Sequence, residues 1–159
     1  MLVLPKGRVD AYEIEAALSR RAVDNLAPFE GVNVTQADAT RVDLPDCDLI
    51  YVNAGVVSPP GSWLRALRPG GRIIFPWCPS ESIGLTLLMT KSASGFAVRP
   101  LGPLWFIPCV GASDPSACVL APSPSQARSI TTAWLTAERE PDATAVAVCR
   151  DVWFSVASG

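Results

Sequence analysis

The chain has no histidine among its 159 residues. That one absence excludes the serine–histidine–aspartate triad, the cysteine–histidine pair and every metal site built on imidazole. Any chemistry must come from carboxylates, amides, backbone groups or a cofactor, and no residue is assigned a catalytic role. Five cysteines are present, at 47, 78, 109, 118 and 149, but none forms a C-x-x-C. A zinc knuckle or a redox motif of that kind is therefore not expected, and no metal is called for. Three of the cysteine spacings are equal at 31 residues. The flanking residues disagree, so no internal repeat is read. The five are expected to be thiols in a reducing compartment.

Basic charge is scarce too. Thirteen Lys and Arg stand against 15 Asp and Glu, a net charge of -2. No positive field is available to hold a phosphate backbone, and nucleic acid is not expected as a partner. The opening Met1-Leu2-Val3-Leu4-Pro5-Lys6 is too short for the apolar core of a signal peptide. No stretch reaches membrane-spanning length, so no membrane partner is expected, and a cytoplasmic location is.

What is present is apolar residue in quantity, 49% against 18% charged, enough for one domain with a core and too much for disorder. Arg8–Ile14 reads as a strand. A helix follows from Glu15 to Asn25, with an apolar stripe at Ile14, Leu18, Ala22 and Leu26, ended by Pro28. Gly31–Gln36 reads as a second strand. Cys47–Gly55 is a near-continuous apolar run, suited to a strand buried on both faces. Ser62–Leu67 reads as a short helix capped by Ser62. Pro69-Gly70-Gly71 is a tight turn, and Arg72–Pro76 a buried strand.

Leu85–Thr90 and Trp105–Val110 are expected as the arms of an antiparallel ribbon. A helix is expected from Gln126 to Glu138, then closing strands at Ala143–Val148 and Val152–Val156. Strand and helix alternate early and strands dominate late. That order predicts an α/β fold, mostly parallel with an antiparallel edge ribbon. It is read as one domain over 1–159, a motif-bearing core at 1–111 and a C-terminal helix-and-strand extension at 112–159.

Four segments stand in an order known from one fold. Val9-Asp10-Ala11-Tyr12-Glu13-Ile14-Glu15 is a strand ending in acid. Val34-Thr35-Gln36-Ala37-Asp38-Ala39-Thr40 is a strand ending in an aspartate turn. Asp48-Leu49-Ile50-Tyr51-Val52-Asn53-Ala54-Gly55 is a strand ending in an amide. Leu64–Pro76 is a helix, Pro-Gly-Gly and a strand. Together they resemble the Rossmann-like, class I S-adenosylmethionine-dependent methyltransferases. Pro76 and the later Trp105-Phe106-Ile107-Pro108-Cys109-Val110-Gly111 make the chain similar to the protein-L-isoaspartate O-methyltransferase branch. Trp77, Cys109 and Val110 depart from that branch's pattern, and Ala37 stands where glycine is usual. The resemblance spans Val9 to Gly111, and nothing from Ser113 onward matches it.

The resemblance implies S-adenosyl-L-methionine as cofactor and methyl donor. It implies that Glu13, rather than Glu15, accepts bonds from the ribose hydroxyls, with Ile14 beside it. A carboxylate can take two vicinal hydroxyls with one fixed rotamer. It implies that Asp38 accepts the adenine amino group and that the backbone of Ala39 meets the ring. Asn53 would orient the methionine moiety or the acceptor, beyond the carboxyl end of its strand. Each residue also has a plain reading. Glu13 and Glu15 can be solvated charges favoured by a helix start, Asp38 an Asx-turn, and Asn53 a side chain closing its own turn.

The resemblance further implies a first strand and a Gly-x-Gly-x-Gly turn ahead of Arg8, where only Met1–Gly7 stand. The expectation is a partial domain lacking both. A missing central strand and its helix would remove about ten buried side chains at ~1.5–3 kcal/mol each. That is more than a domain's usual margin of ~5–15 kcal/mol. Two inner strand edges would seek a partner, making an oligomer through unpaired edges an expectation. Two functions follow. One is O-methylation of a carboxylate acceptor, a protein such as one bearing L-isoaspartate or a small molecule. The other is an inactive fragment or partner module of a methyltransferase. A nicotinamide-binding Rossmann domain is disfavoured by the Pro-Gly-Gly and Asp38 turns.

Overall fold

A computed structural model describes residues 7–157. The strands are β1 (Val9–Glu13), β2 (Val32–Gln36), β3 (Cys47–Tyr51), β4 (Leu67–Ser80), β5 (Ile83–Ser92), β6 (Gly95–Pro103), β7 (Cys118–Leu120), β8 (Thr132–Leu135), β9 (Ala145–Cys149) and β10 (Val152–Ser155). The helices are α1 (Ala16–Leu26), α2 (Gly61–Ala66) and α3 (Pro124–Arg128). The chain divides into two compact units, residues 1–43 and 44–159. The sequence reading put one domain here, with its internal boundary at 111.

In the first unit β1 and β2 pair in parallel, from Val9 opposite Val32 to Glu13 opposite Gln36. The crossover between them is α1. Its inward face is centred on Ser19, which is buried, while Leu18 is 48% exposed. The expected stripe at 14, 18, 22 and 26 keeps a spacing of four. Such a row drifts around a helix of 3.6 residues per turn, and the drift carries Ile14 and Leu18 outward.

The second unit is an eight-stranded sheet of order β3-β4-β5-β6-β8-β10-β9-β7. Only β3 and β4 pair in parallel there, and the remaining neighbours are antiparallel. The antiparallel part thus reaches well past an edge ribbon. Two expected elements were misplaced. The second ribbon arm is Gly95–Pro103, not Trp105–Val110. Phe96 and Val98 alternate inward in β6, a period hidden by the following Pro100, Gly102 and Pro103. The expected helix at 126–138 is five residues long, and Thr132–Leu135 is a fully buried strand. Capping by Ser123 starts that helix, and the β-forming Thr-Thr-Ala-Trp run then extends the chain.

Further corrections are smaller. Pro60, not Ser62, is the residue before α2, with no side-chain cap. The strand β3 is not buried on both faces: Leu49 is 50% and Tyr51 68% exposed, as suits the edge of its sheet. Pro69-Gly70-Gly71 bends the chain inside β4, where Gly70 has φ +78, a conformation glycine adopts without a Cβ clash.

Among the described residues, every buried apolar side chain lies in this unit. Trp77, Trp153, Phe75, Phe154, Leu64 and Leu87 are fully buried. Trp77 packs on Phe154 with ring centres 4.7 Å apart, and its indole N–H donates to the Val57 carbonyl at 3.1 Å. Trp134 stacks on Trp153 at 4.4 Å, and the Arg139 guanidinium lies 4.3 Å from the Trp134 ring centre, a cation–π contact.

Candidate functional site

Parallel pairing fixes which side chains share a rim. Because Glu13 stands opposite Gln36, both strands of the first unit end at the same edge. Glu13 closes β1, and Asp38 lies two residues past the end of β2. The backbone ties the two ends together, with the Ala37 N–H donating to the Glu13 carbonyl at 3.1 Å. Ile14 follows Glu13 and is 45% exposed. Ala39 follows Asp38 within the turn. Thus four of the five expected ligand residues sit on two adjoining segments at one carboxyl rim.

Their present hydrogen bonds are local. One Glu13 carboxylate oxygen accepts the Glu15 N–H at 2.8 Å. A carboxylate offers about four acceptor positions, so Glu13 keeps capacity for further donors. Asp38 is more engaged. Its Oδ1 accepts the Thr40 N–H at 2.9 Å and the Thr40 hydroxyl at 2.7 Å. Its Oδ2 lies 3.2 Å from Arg41 Nε. The Thr40 hydroxyl holds the Asp38 carboxyl below its ordinary range, aided by the Thr40 N–H and Arg41 and opposed by burial. It is an anion at neutral pH, able to accept and unable to donate.

Sequence reasoning missed Thr40 and Arg41. The signal was an aspartate two residues before a hydroxyl side chain, and it recurs. Asp114 binds the N–H and hydroxyl of Ser116, and Asp142 those of Thr144. Three turns with the same pair of bonds make the Asp38 geometry a folding device first. What sets Asp38 apart is its place at a parallel-strand rim.

Asn53 belongs to the second unit, exposed in the segment leaving β3. That segment is pinned on both sides. The Val52 N–H donates to Ile74 O at 2.9 Å and the Val56 N–H to Pro76 O at 2.8 Å. Gly55 exchanges bonds with the 107–109 stretch, at 2.7 Å to Ile107 O and 2.8 Å from Cys109 N. Trp105–Val110 thus braces the Asn53 loop. A Cβ on Gly55 would meet the Phe106 carbonyl at 3.2 Å, a tight contact that a small residue eases.

A concavity of about 270 Å³ also lies in the first unit. It is lined by the end of α1 and the start of β2, among them Val23, Leu26, Phe29 and Val32, and by neither carboxylate. Among the described residues no cluster of Cys, Asp and Glu is arranged to hold a metal. No helix there is long and apolar enough to cross a membrane.

No family model matches the chain. Among curated proteins, a protein-L-isoaspartate O-methyltransferase of Dinoroseobacter shibae is 31% identical over 91 residues, 53% of this chain and 42% of its own length. The chain resembles the protein-L-isoaspartate O-methyltransferases. It spans 42% to 44% of the curated relatives it matches. A solved protein-L-isoaspartate O-methyltransferase overlays 96% of this chain and 57% of its own, with a TM-score of 0.62 and 19% identity. Another, from Plasmodium falciparum in complex with S-adenosyl-L-homocysteine, covers 64% of this chain and 52% of its own, with a TM-score of 0.57 and 16% identity. At such identities the likeness is one of fold: the chain has the α/β fold of these Rossmann-like methyltransferases, as the motif order implied.

Proposed function

We propose that the chain carries the nucleoside-binding part of an S-adenosylmethionine-dependent methyltransferase acting on a carboxylate, such as a protein L-isoaspartate, in the cytoplasm. The observation that carries this reading is the pair Glu13 and Asp38 at one carboxyl rim of a parallel strand pair, the edge at which open α/β sheets bind ligands. The donor set fits. Glu13 has acceptor capacity for two vicinal ribose hydroxyls. Asp38 is an acceptor beside an adenine amino group, at the cost of its exposed Arg41 partner. Ile14 offers an apolar wall, and Ala39 brings backbone without bulk. Asn53, on the other unit, is proposed separately as an amide that orients a polar ligand group.

The bound cofactor supplies an electrophilic methyl group. The protein's task is then alignment more than proton transfer. A carboxylate acceptor is already ionised near neutrality. It needs no general base, and a chain without histidine is suited to that chemistry.

Isothermal titration of the chain with S-adenosyl-L-homocysteine tests the reading. Binding should be measurable, and Glu13→Ala should weaken it about tenfold or more, since charge-assisted bonds to ligand are worth roughly 1.5–3 kcal/mol. No heat at millimolar ligand would reject it.

A second reading rests on a different observation. Among the described residues β1 pairs only with β2, and β3 only with β4. Each therefore presents a row of backbone donors and acceptors along one side, which natural sheets seldom leave open. We infer on this reading a partner module or an inactive fragment whose strand edges pair with another chain, giving an oligomer. Light scattering and amide exchange separate the two. A monomer with tight cofactor binding excludes the second reading, and protection of β1 and β3 amides that grows with concentration favours it.

A further inference from the structure

Cys118 and Cys149 stand directly opposite each other on β7 and β9. All five cysteines are thiols, but these two differ from the rest in position. The Arg150 N–H donates to Ala117 O at 2.7 Å, so residues 117 and 150 form the hydrogen-bonded pair of this antiparallel ladder. The next pair along, 118 and 149, is then the narrow one, where opposed side chains come closest. Their sulfurs are 2.9 Å apart, with the Cys149 S–H directed at the Cys118 sulfur. Narrow pairs have Cα spacings inside the range a disulfide spans.

The two thiols are also unequal in a useful way. Cys118 is half-buried, whereas Cys149 is 3% exposed. The Cys149 S–H stabilises a Cys118 thiolate and holds that thiol below its ordinary value against the effect of burial. Cys149 is pushed up by the same contact and by burial. Cys118 is the sulfur that solvent reaches, and a thiolate formed there can accept the Cys149 S–H.

We propose that Cys118 and Cys149 form a reversible disulfide on exposure to hydrogen peroxide, with Cys118 as the attacking thiol and Cys149 as the resolving one. In the first step the Cys118 thiolate attacks one peroxide oxygen. The O–O bond breaks, and the leaving hydroxide takes up a proton to become water. Cys118 is left as a sulfenic acid. In the second step Cys149 sulfur, its proton passing to the departing oxygen, attacks the Cys118 sulfur. The S–O bond breaks, the S–S bond forms and a second water leaves. Two electrons pass from the two sulfurs to one peroxide. No buried acceptor is orphaned by the loss of the Cys149 proton. The Val57 carbonyl, the alternative acceptor for the Cys149 S–H at 3.7 Å, keeps the Trp77 N–H at 3.1 Å.

The link would matter because, among the described residues, β7 is the last strand of its sheet and pairs only with β9. Oxidation staples that edge. The full chain is to be treated with hydrogen peroxide, quenched, and mapped by non-reducing peptide mass spectrometry. The expected product is a Cys118–Cys149 linked peptide, a mass loss of about 2 Da from the reduced chain, reversal by dithiothreitol, and increased amide protection at Val119 and Leu120. Cys118→Ser, at a half-buried position that tolerates a hydroxyl, should abolish the link. Cys109→Ser, which removes the other cysteine of the same tryptic peptide, should retain it. A dead-end sulfinic acid at Cys118 with Cys149 still alkylatable on unfolding would overturn the proposal. So would peroxide oxidation of Cys78 or Cys109 ahead of Cys118.

Discussion

In the first unit the buried side chain is Ser19 alone among the described residues, and Leu18, Val23 and Phe29 are each more than 40% exposed. In the second unit Trp77, Trp153, Phe75 and Phe154 are completely enclosed. The first holds its shape by backbone pairing of two strands and by short-range turns, an arrangement marginal on its own. The second has the apolar burial that drives folding. Yet four of the five expected ligand residues lie in the first. Binding residues drawn from the less stable part of a fold are a common pattern. It also means that ligand should add order where the core adds little.

The largest break in this comparison comes from removing a core side chain. Trp77→Ala should cost about 3–5 kcal/mol, because it leaves a cavity against Phe154 and takes the indole N–H from the Val57 carbonyl, which then has only the weak Cys149 thiol contact at 3.7 Å. Leu18→Ala in the first unit should stay within about 0.5 kcal/mol. Urea unfolding followed by two probes checks both. Every tryptophan, at 63, 77, 105, 134 and 153, lies in the second unit, so indole fluorescence reads that unit alone. Amide exchange at β1 and β2 reads the other. If both probes give one coincident transition in the unmodified chain, the contrast between the units is wrong.

Gly95→Ala comes next. Gly95 turns the β5–β6 ribbon at φ +142, and a Cβ there would lie 2.6 Å from the Trp134 ring. Backbone strain and overpacking together should cost about 1–3 kcal/mol in the second unit. Fluorescence should report the loss while exchange in β1 and β2 is unchanged.

In the first unit the sharpest handle is pH. Asp38 is held below the usual 3.8 first by the Thr40 hydroxyl, then by the Thr40 N–H and Arg41. A depressed folded value means the turn's contribution is complete above the unfolded value. It is lost as pH falls through the lower folded value. The Thr40 amide resonance should therefore hold steady down to about pH 4 and move only in stronger acid, by the reference carboxylate value. Asp38→Ala should cost about 1 kcal/mol by removing the Thr40 bonds. Asp38→Asn should cost less, since Arg41 is exposed and its pairing is worth little.

Much of the first unit was legible because its signals are local. A β-α-β order, the acid closing β1 and the aspartate turn after β2 are each read from a few neighbouring residues. The candidate rim followed, because parallel pairing leaves little choice of edge. The second unit was read less well past Pro76. Strand β8 lies inside the stretch expected as helix, and only its pairing with β6 and β10 decides for strand. The ribbon arm was misplaced because its prolines and glycines resemble a loop. Nothing in a local window says that Trp105–Val110 should brace Gly55. The cysteine pair was equally hidden, since its meaning depends on the register of β7 against β9.

The smallest effect expected is also the one with an unusual sign. Ser58 is 6% exposed, and its hydroxyl, in the second unit's core, lacks a partner among the described residues. Ser155 is its counterpart: also buried, but hydrogen-bonded to Thr144 at 2.8 Å and accepting the Ala157 N–H at 2.9 Å. Removing an unpaired buried hydroxyl ends a desolvation penalty, whereas removing a paired one strands its neighbours. Ser58→Ala should therefore be neutral or stabilising by up to about 1 kcal/mol, and Ser155→Ala destabilising by about 1–2 kcal/mol. Urea midpoints read by tryptophan fluorescence should move in opposite directions for the two. A fall for Ser58→Ala would mean that its hydroxyl has a partner, and that the second unit's core is fully satisfied where the geometry leaves a gap.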